Sequence, residues 1–105
     1  MIARIWRGWT VLGNADAYER LLREEVFPGI LARNIPGFRS IDLLRGGAGD
    51  EIEFITIMIF ESMDAIVSFA GPDHAVAVVL PPARALLARF EARSNHYEIV
   101  ERRTA

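Results

Sequence analysis

The chain has 105 residues, 51% hydrophobic and 25% charged, with a net charge of −2. That length supports one domain over residues 1–105 and one core, and the charge balance excludes the basic footprint of a nucleic-acid binder. The chain has no cysteine, so it has no disulfide, thiol nucleophile or cysteine metal site; without lysine there is no Schiff base, and 2 histidines are too few for a structural zinc site.

No stretch is apolar for long enough to span a bilayer; the longest, Ala75–Leu80, runs into two prolines. Arg4 and Arg7 interrupt the start of the chain, which therefore lacks a basic-then-apolar signal pattern. A cytoplasmic protein with neither membrane nor nucleic-acid partner is expected. Gly46-Gly47-Ala48-Gly49 carries no lysine and lies between two strand patterns, so it reads as a hairpin turn and not a phosphate loop.

Ile2–Val11 is the first predicted strand. Ile2, Arg4, Trp6 and Thr10 share one face; Ala3, Ile5, Arg7, Trp9 and Val11 share the other. Asp16–Arg33 is the first predicted helix, with Asn14 or Asp16 as cap, Glu19 completing a capping box, and Tyr18, Leu21, Leu22, Val26 and Ile30 as its apolar stripe. Pro28 deletes a backbone donor inside that pattern and should kink or split the helix near Glu24–Phe27. Phe38–Arg45 reads as a polar edge strand and Gly46–Asp50 as a hairpin loop.

Glu51–Phe60 is apolar on both sides of its pleat from Phe54 onward and rich in β-branched residues, as in a central strand. Ser62 is placed to cap a helix over Met63–Ala70 that Gly71-Pro72-Asp73 stops. His74–Leu80 is short and apolar between breakers. Pro81-Pro82 suits the first turn of a third helix, Ala83–Phe90. Ser94–Glu101 is the last predicted strand.

The order β-α-β-β-α(α)-β gives an α+β fold, the ferredoxin-like plait: an antiparallel sheet of strand order 4-1-3-2 with helices on one face. The two central strands are the ones apolar on both faces, and one chain of this length supplies helices for only one. The bare face predicts a homodimer whose two sheets close into a shared barrel.

Met1–Thr10, the kinked Glu24-Glu25-Val26-Phe27-Pro28-Gly29, the turn Pro36-Gly37-Phe38, the strand end Phe60-Glu61-Ser62 and the closing His96-Tyr97-Glu98 resemble the antibiotic biosynthesis monooxygenase family. The resemblance covers nearly the whole chain. It implies the dimeric α/β barrel, a site between sheet and helices, and an oxygenase that needs no cofactor: an electron-rich phenol or quinol is deprotonated and meets O₂ directly. The haem-degrading branch of that barrel carries an Asn on the first strand and a haem-ligating His after its Glu-Ser. Here Trp6 and Arg7 stand in the first place, Val79 in the second, and His74 comes earlier.

His74 and His96 are the candidate catalytic bases, being titratable near neutral pH; a hydrogen-bonded strand histidine and a solvated loop histidine are their plain alternatives. His74 lies in a stretch able to act as a lid over the cleft. Arg4 on a central strand must pair or meet a ligand anion; the plain alternative to an anion anchor is an ion pair, for instance with Glu98 on the neighbouring strand or across the dimer. Arg4, Trp6 and Trp9 are the candidate substrate-binding residues, the indoles against a reading as packing. A non-catalytic dimer that binds a small aromatic ligand, and an isomerase or cyclase on the same fold, are the competing functions.

Overall fold

In the computed structural model, which describes residues 1–105, β1 (Ile2–Val11) and β3 (Glu51–Phe60) pair antiparallel along their whole lengths, Ile2 opposite Phe60 and Val11 opposite Glu51. β2 (Phe38–Ala48) flanks β3, joined to it by a two-residue turn whose Gly49 has φ +68°, a conformation that favours glycine. The other edge of β1 takes β4 (Arg89–Phe90) opposite Gly8 and Trp9, and β5 (Asn95–Glu98) opposite Ile2 to Ile5. The order is the expected one, with the fourth strand broken in two and the sheet open within one chain.

The break in the edge strand has a local cause. Between β4 and β5 the backbone leaves β1 and bonds the loop Gly71–Leu80 instead: Ala77 N–H donates to the Ala92 carbonyl at 2.9 Å, and Val76 bridges Arg93. Ser94 N–H likewise donates to the Ala75 carbonyl at 2.6 Å, so this stretch draws backbone partners from the loop in place of β1. The helix predicted over Ala83–Phe90 is cut short by the same strand edge. α4 runs Pro81–Leu86; then Ala88 N–H donates to the Trp9 carbonyl at 2.8 Å and Glu91 N–H to the Arg7 carbonyl at 2.9 Å. Pairing with the open edge of β1 displaces the last helical turn, a tertiary contact overriding helix propensity.

The long helix splits where Pro28 requires it. α1 (Ala15–Leu21) passes through a π-helical turn, Leu22–Val26, into α2 (Phe27–Ala32); Pro28, which has no N–H to donate back, directly follows the π turn, where the regular bonding pattern is already interrupted. The expected capping box does not form: Asp16 and Glu19 both turn outward to Arg45 on β2, at 2.9 and 3.0 Å, and Asn14 donates to the Leu86 carbonyl. α3 (Met63–Ala70) is capped as expected, Ser62 Oγ accepting from Ala65 N–H at 3.2 Å.

All helices lie on one face of the sheet. Phe54, Met58 and Phe60 of β3 pack there against Tyr18, Ile66 and Phe69, and complete burial of side chains such as Phe54, Phe60 and Ile66 is worth about 1.5–3 kcal/mol each. The opposite face carries Ile5, Trp9, Ile55, Ile57 and Tyr97 with no helix over them. No helix is long and apolar enough to cross a membrane.

Candidate functional site

The helix-covered face encloses a cavity of about 60 Å³, with the π turn and α2 above it and the loop Gly71–Leu80 closing one side. The π turn matters here. Its extra residue per turn rotates the helix so that Leu22 and Val26, and after them Phe27 and Ile30, all reach the cavity wall. Outside it, and sharing Val26, Ile30, Phe69, Val78 and Leu80 as wall, lies a wider vestibule of about 330 Å³ with Glu25 and Arg33 at its rim. A cavity near 150 Å³ is needed to hold one benzene ring. The inner space is therefore closed to any aromatic until the loop or Phe69 moves.

Arg4 forms one end of the cavity and is 3% exposed. No carboxylate pairs with it, and the expected partner Glu98 is not in reach. Its Nη1 donates to the His74 carbonyl and to His96 Nε2 at 3.0 Å; its Nη2 donates to the Val76 carbonyl at 3.0 Å. A guanidinium has five N–H donors, so two remain after these three bonds. Burial lowers its pKa to about 10, which leaves it charged at neutral pH. A buried cation neutralised only by dipoles is an unfinished site, and an anion in the cavity would complete it.

His96 lies opposite Arg4 on β5 and shares its face. Arginine cannot accept, so Nε2 of His96 must, which fixes the neutral ring with its proton on Nδ1. Burial first, then the charge of Arg4, then His74, push its pKa down. Its basic lone pair is thus already engaged. The His74 ring stands 5.3 Å from that of His96 and makes no hydrogen bond within the chain, its carbonyl serving Arg4 instead. Both histidines sit behind Arg4, and neither lines the cavity.

Trp6 is 8% exposed and forms a wall; its indole N–H is committed to the Glu91 carbonyl at 2.8 Å, so it offers a ligand its ring and not a donor. Trp9 is on the opposite face of the sheet, beneath the Arg89 guanidinium at 3.9 Å, away from this cavity. Sequence reasoning missed Tyr18, Thr56 and Ser94, the cavity's hydroxyls. Burial raises the pKa of the Tyr18 phenol, keeping it a neutral donor. Thr56 had a legible signal: the one polar residue in the apolar run Phe54–Phe60, directly opposite Trp6. Gly8 had one too, a residue without a side chain beside a tryptophan on one face; a Cβ there would meet the Trp6 ring at 2.6 Å.

A haem does not fit these residues. No imidazole lines the cavity, and its volume is far smaller than a porphyrin.

No family model matches the sequence, and no curated protein matches it. Solved structures do match over almost the whole chain. A mutant of MhuD, determined with two manganese protoporphyrin IX molecules bound per active site, is 20% identical with a TM-score of 0.70, covering 100% of both chains. A candidate antibiotic biosynthesis monooxygenase from Bacillus cereus is 14% identical with a TM-score of 0.67, covering 100% of this chain and 96% of that one. SnoaB, a cofactor-independent oxygenase from Streptomyces nogalater, is 25% identical with a TM-score of 0.57, covering 98% and 95%. The fold is the one these proteins share.

Proposed function

We propose that this chain, which has the fold of the antibiotic biosynthesis monooxygenases, is a cofactor-independent monooxygenase that holds a small aromatic or quinol-like metabolite as its anion against Arg4. The observation that carries this reading is the buried guanidinium with no carboxylate partner and two unused donors, at the end of an apolar cavity. Ion pairing with Arg4 favours the ionised form of a phenol, and the phenolate is the electron-rich species that reduces O₂. In the net reaction one oxygen atom enters the ring as a carbonyl. The other leaves as water with the two hydrogens the substrate loses, so the substrate is its own reductant. Trp6, Leu22 and Phe27 exclude water, and Tyr18, Thr56 and Ser94 offer hydroxyls to the substrate's other oxygens. His74, the imidazole with a free ring, receives the phenolic proton when the loop that carries it swings inward with substrate; His96 is already bonded to Arg4. The isomerase or cyclase reading would use the same base and no O₂, so product formed equally without oxygen would select it.

The working unit is a homodimer closed through the bare sheet face, in the cytoplasm. Ile5, Ile55 and Ile57 on the central strands support the dimer, since apolar residues there need cover that one chain does not provide.

The test is a panel of naphthols and naphthalenediols incubated under ¹⁸O₂, with a protein-free control for autoxidation. The expected result is a quinone carrying one ¹⁸O, no product without oxygen, and a turnover at least about tenfold lower in Arg4→Met, the size of one lost charged hydrogen bond. Tight binding across the panel with no oxygen-dependent product would establish the ligand-binding dimer in its place.

A further inference from the structure

The unexplained group in this site is His96: a histidine on the correct face of the sheet, beside the correct arginine, with its lone pair used up. We propose that His96 is a positioning residue that aims Arg4, and not the base of the reaction; this rests on the reading of Arg4 as the ligand's anchor.

A long arginine side chain on a central strand has several rotamers, and the bond to His96 Nε2 at 3.0 Å removes most of them. That bond spends one Nη1 hydrogen, the His74 carbonyl takes the other, and the Val76 carbonyl takes one from Nη2. The donors left over are the Nε–H and one Nη2–H, and the guanidinium that bears them lines the cavity. The three acceptors come from β5 and from the loop, so Arg4 is gripped from two elements at once. The Phe69 ring under the guanidinium, 5.5 Å from its centroid, closes off a third direction. The charged and titratable groups around His96 are Arg4 from β1, His74 from the loop and Glu98 from its own strand, with Glu61 after β3 and the Met1 terminus on its outer side; Tyr97 is turned to the other face. Glu61 is bonded to Arg39 and the one bond of the His96 ring is to Arg4, so no triad-like carboxylate prepares this ring as a base. A neutral acceptor of matching reach would do the same work, and glutamine has one.

Two measurements test this. The first reads the tautomer, and needs no ligand: long-range ¹H–¹⁵N correlation of the histidine rings near pH 7.5. Nδ1–H with a bare Nε2 on His96 is expected; Nε2–H overturns the proposal. The second compares wild type, His96→Gln and His96→Leu for affinity toward 2-naphthoate, an anionic aromatic that is not a substrate, and for turnover of the responding naphthol. His96→Leu should lose about tenfold or more in both, and His96→Gln should recover to within about threefold of wild type. Turnover lost in His96→Gln while naphthoate binding persists would make His96 the base and overturn the proposal, as would full binding by His96→Leu. Wild-type protein that ignores naphthoate, with the tautomer as expected, would instead overturn the reading of Arg4 as an anion anchor.

Discussion

The residues that shape this site differ in how openly the sequence shows them. Arg4 and Trp6 stood out because a charge and an indole on the buried face of a central strand need a reason, and the pattern of alternation says which face they share. What Arg4 bonds to was not legible. Its acceptors are two backbone carbonyls and a ring nitrogen brought from about the seventieth and ninetieth positions, and carbonyls leave no mark in composition. Gly8 is the residue whose role is most directly testable. The Trp6 ring lies across it, with the Leu87 methyl at 3.0 Å from where a Cβ would stand. Gly8→Ala therefore has to push the indole off its seat, and the Leu87 methyl must give way as well. Overpacking of this kind costs about 1–3 kcal/mol, offset in part by the stiffer unfolded chain that alanine brings. The expected outcome is a lower denaturation midpoint with an unchanged m-value, together with altered Trp6 fluorescence. A variant as stable as wild type with the same emission would show that the ring does not rest on Gly8.

At the scale of elements, strands and their order were readable because period-two alternation and the doubly apolar Glu51–Phe60 constrain a sheet tightly. The helix break was readable because a proline cannot donate. The segments that resisted are the ones settled by competition between partners: α4 ends early and β4 begins because β1 has an open edge there, and the fourth strand breaks because the loop Gly71–Leu80 competes for its backbone. That loop is held in two ways. Outside, Asp73 and Arg93 form an exposed ion pair at 3.0 Å, with both side chains more than half exposed. Inside, Arg4 donates to the His74 and Val76 carbonyls. An exposed pair contributes about 0.2–1 kcal/mol, whereas hydrogen bonds from a buried charge contribute about 1.5–3 kcal/mol. The inner grip should dominate. Hydrogen exchange at Val76 and Ala77 is expected to speed up by about tenfold or more in Arg4→Met and by less than about fivefold in Arg93→Ala. The reverse order would mean that the loop is pinned from its surface, and that a ligand at Arg4 does not govern its opening.

For the whole molecule the decisive feature is the sheet face without helices. Ile5 lies opposite Ile57, and Arg7 opposite Ile55, with Trp9 and Tyr97 at the flanks. Tyr97 is 56% exposed and Leu44 40% exposed in one chain. In a lone subunit these side chains would form a contiguous apolar patch of the kind monomers avoid. A two-fold partner presents the same patch in return and covers it without any second surface. Ile57→Glu separates the two cases. On a solvated face a glutamate is tolerated, with little effect beyond a weaker strand preference. In a closed interface it places two unpaired carboxylates in an apolar layer, which breaks the assembly. Analytical ultracentrifugation should find wild type at twice the 11.8 kDa chain mass and Ile57→Glu at the single-chain mass, with lower thermal stability. Because the cavity is on the other side of the sheet, it is lined from within one chain, so the dissociated variant should still bind 2-naphthoate, at reduced affinity. Wild type sedimenting as a single chain would leave the apolar face to some other cover and remove the shared barrel from the account of this protein.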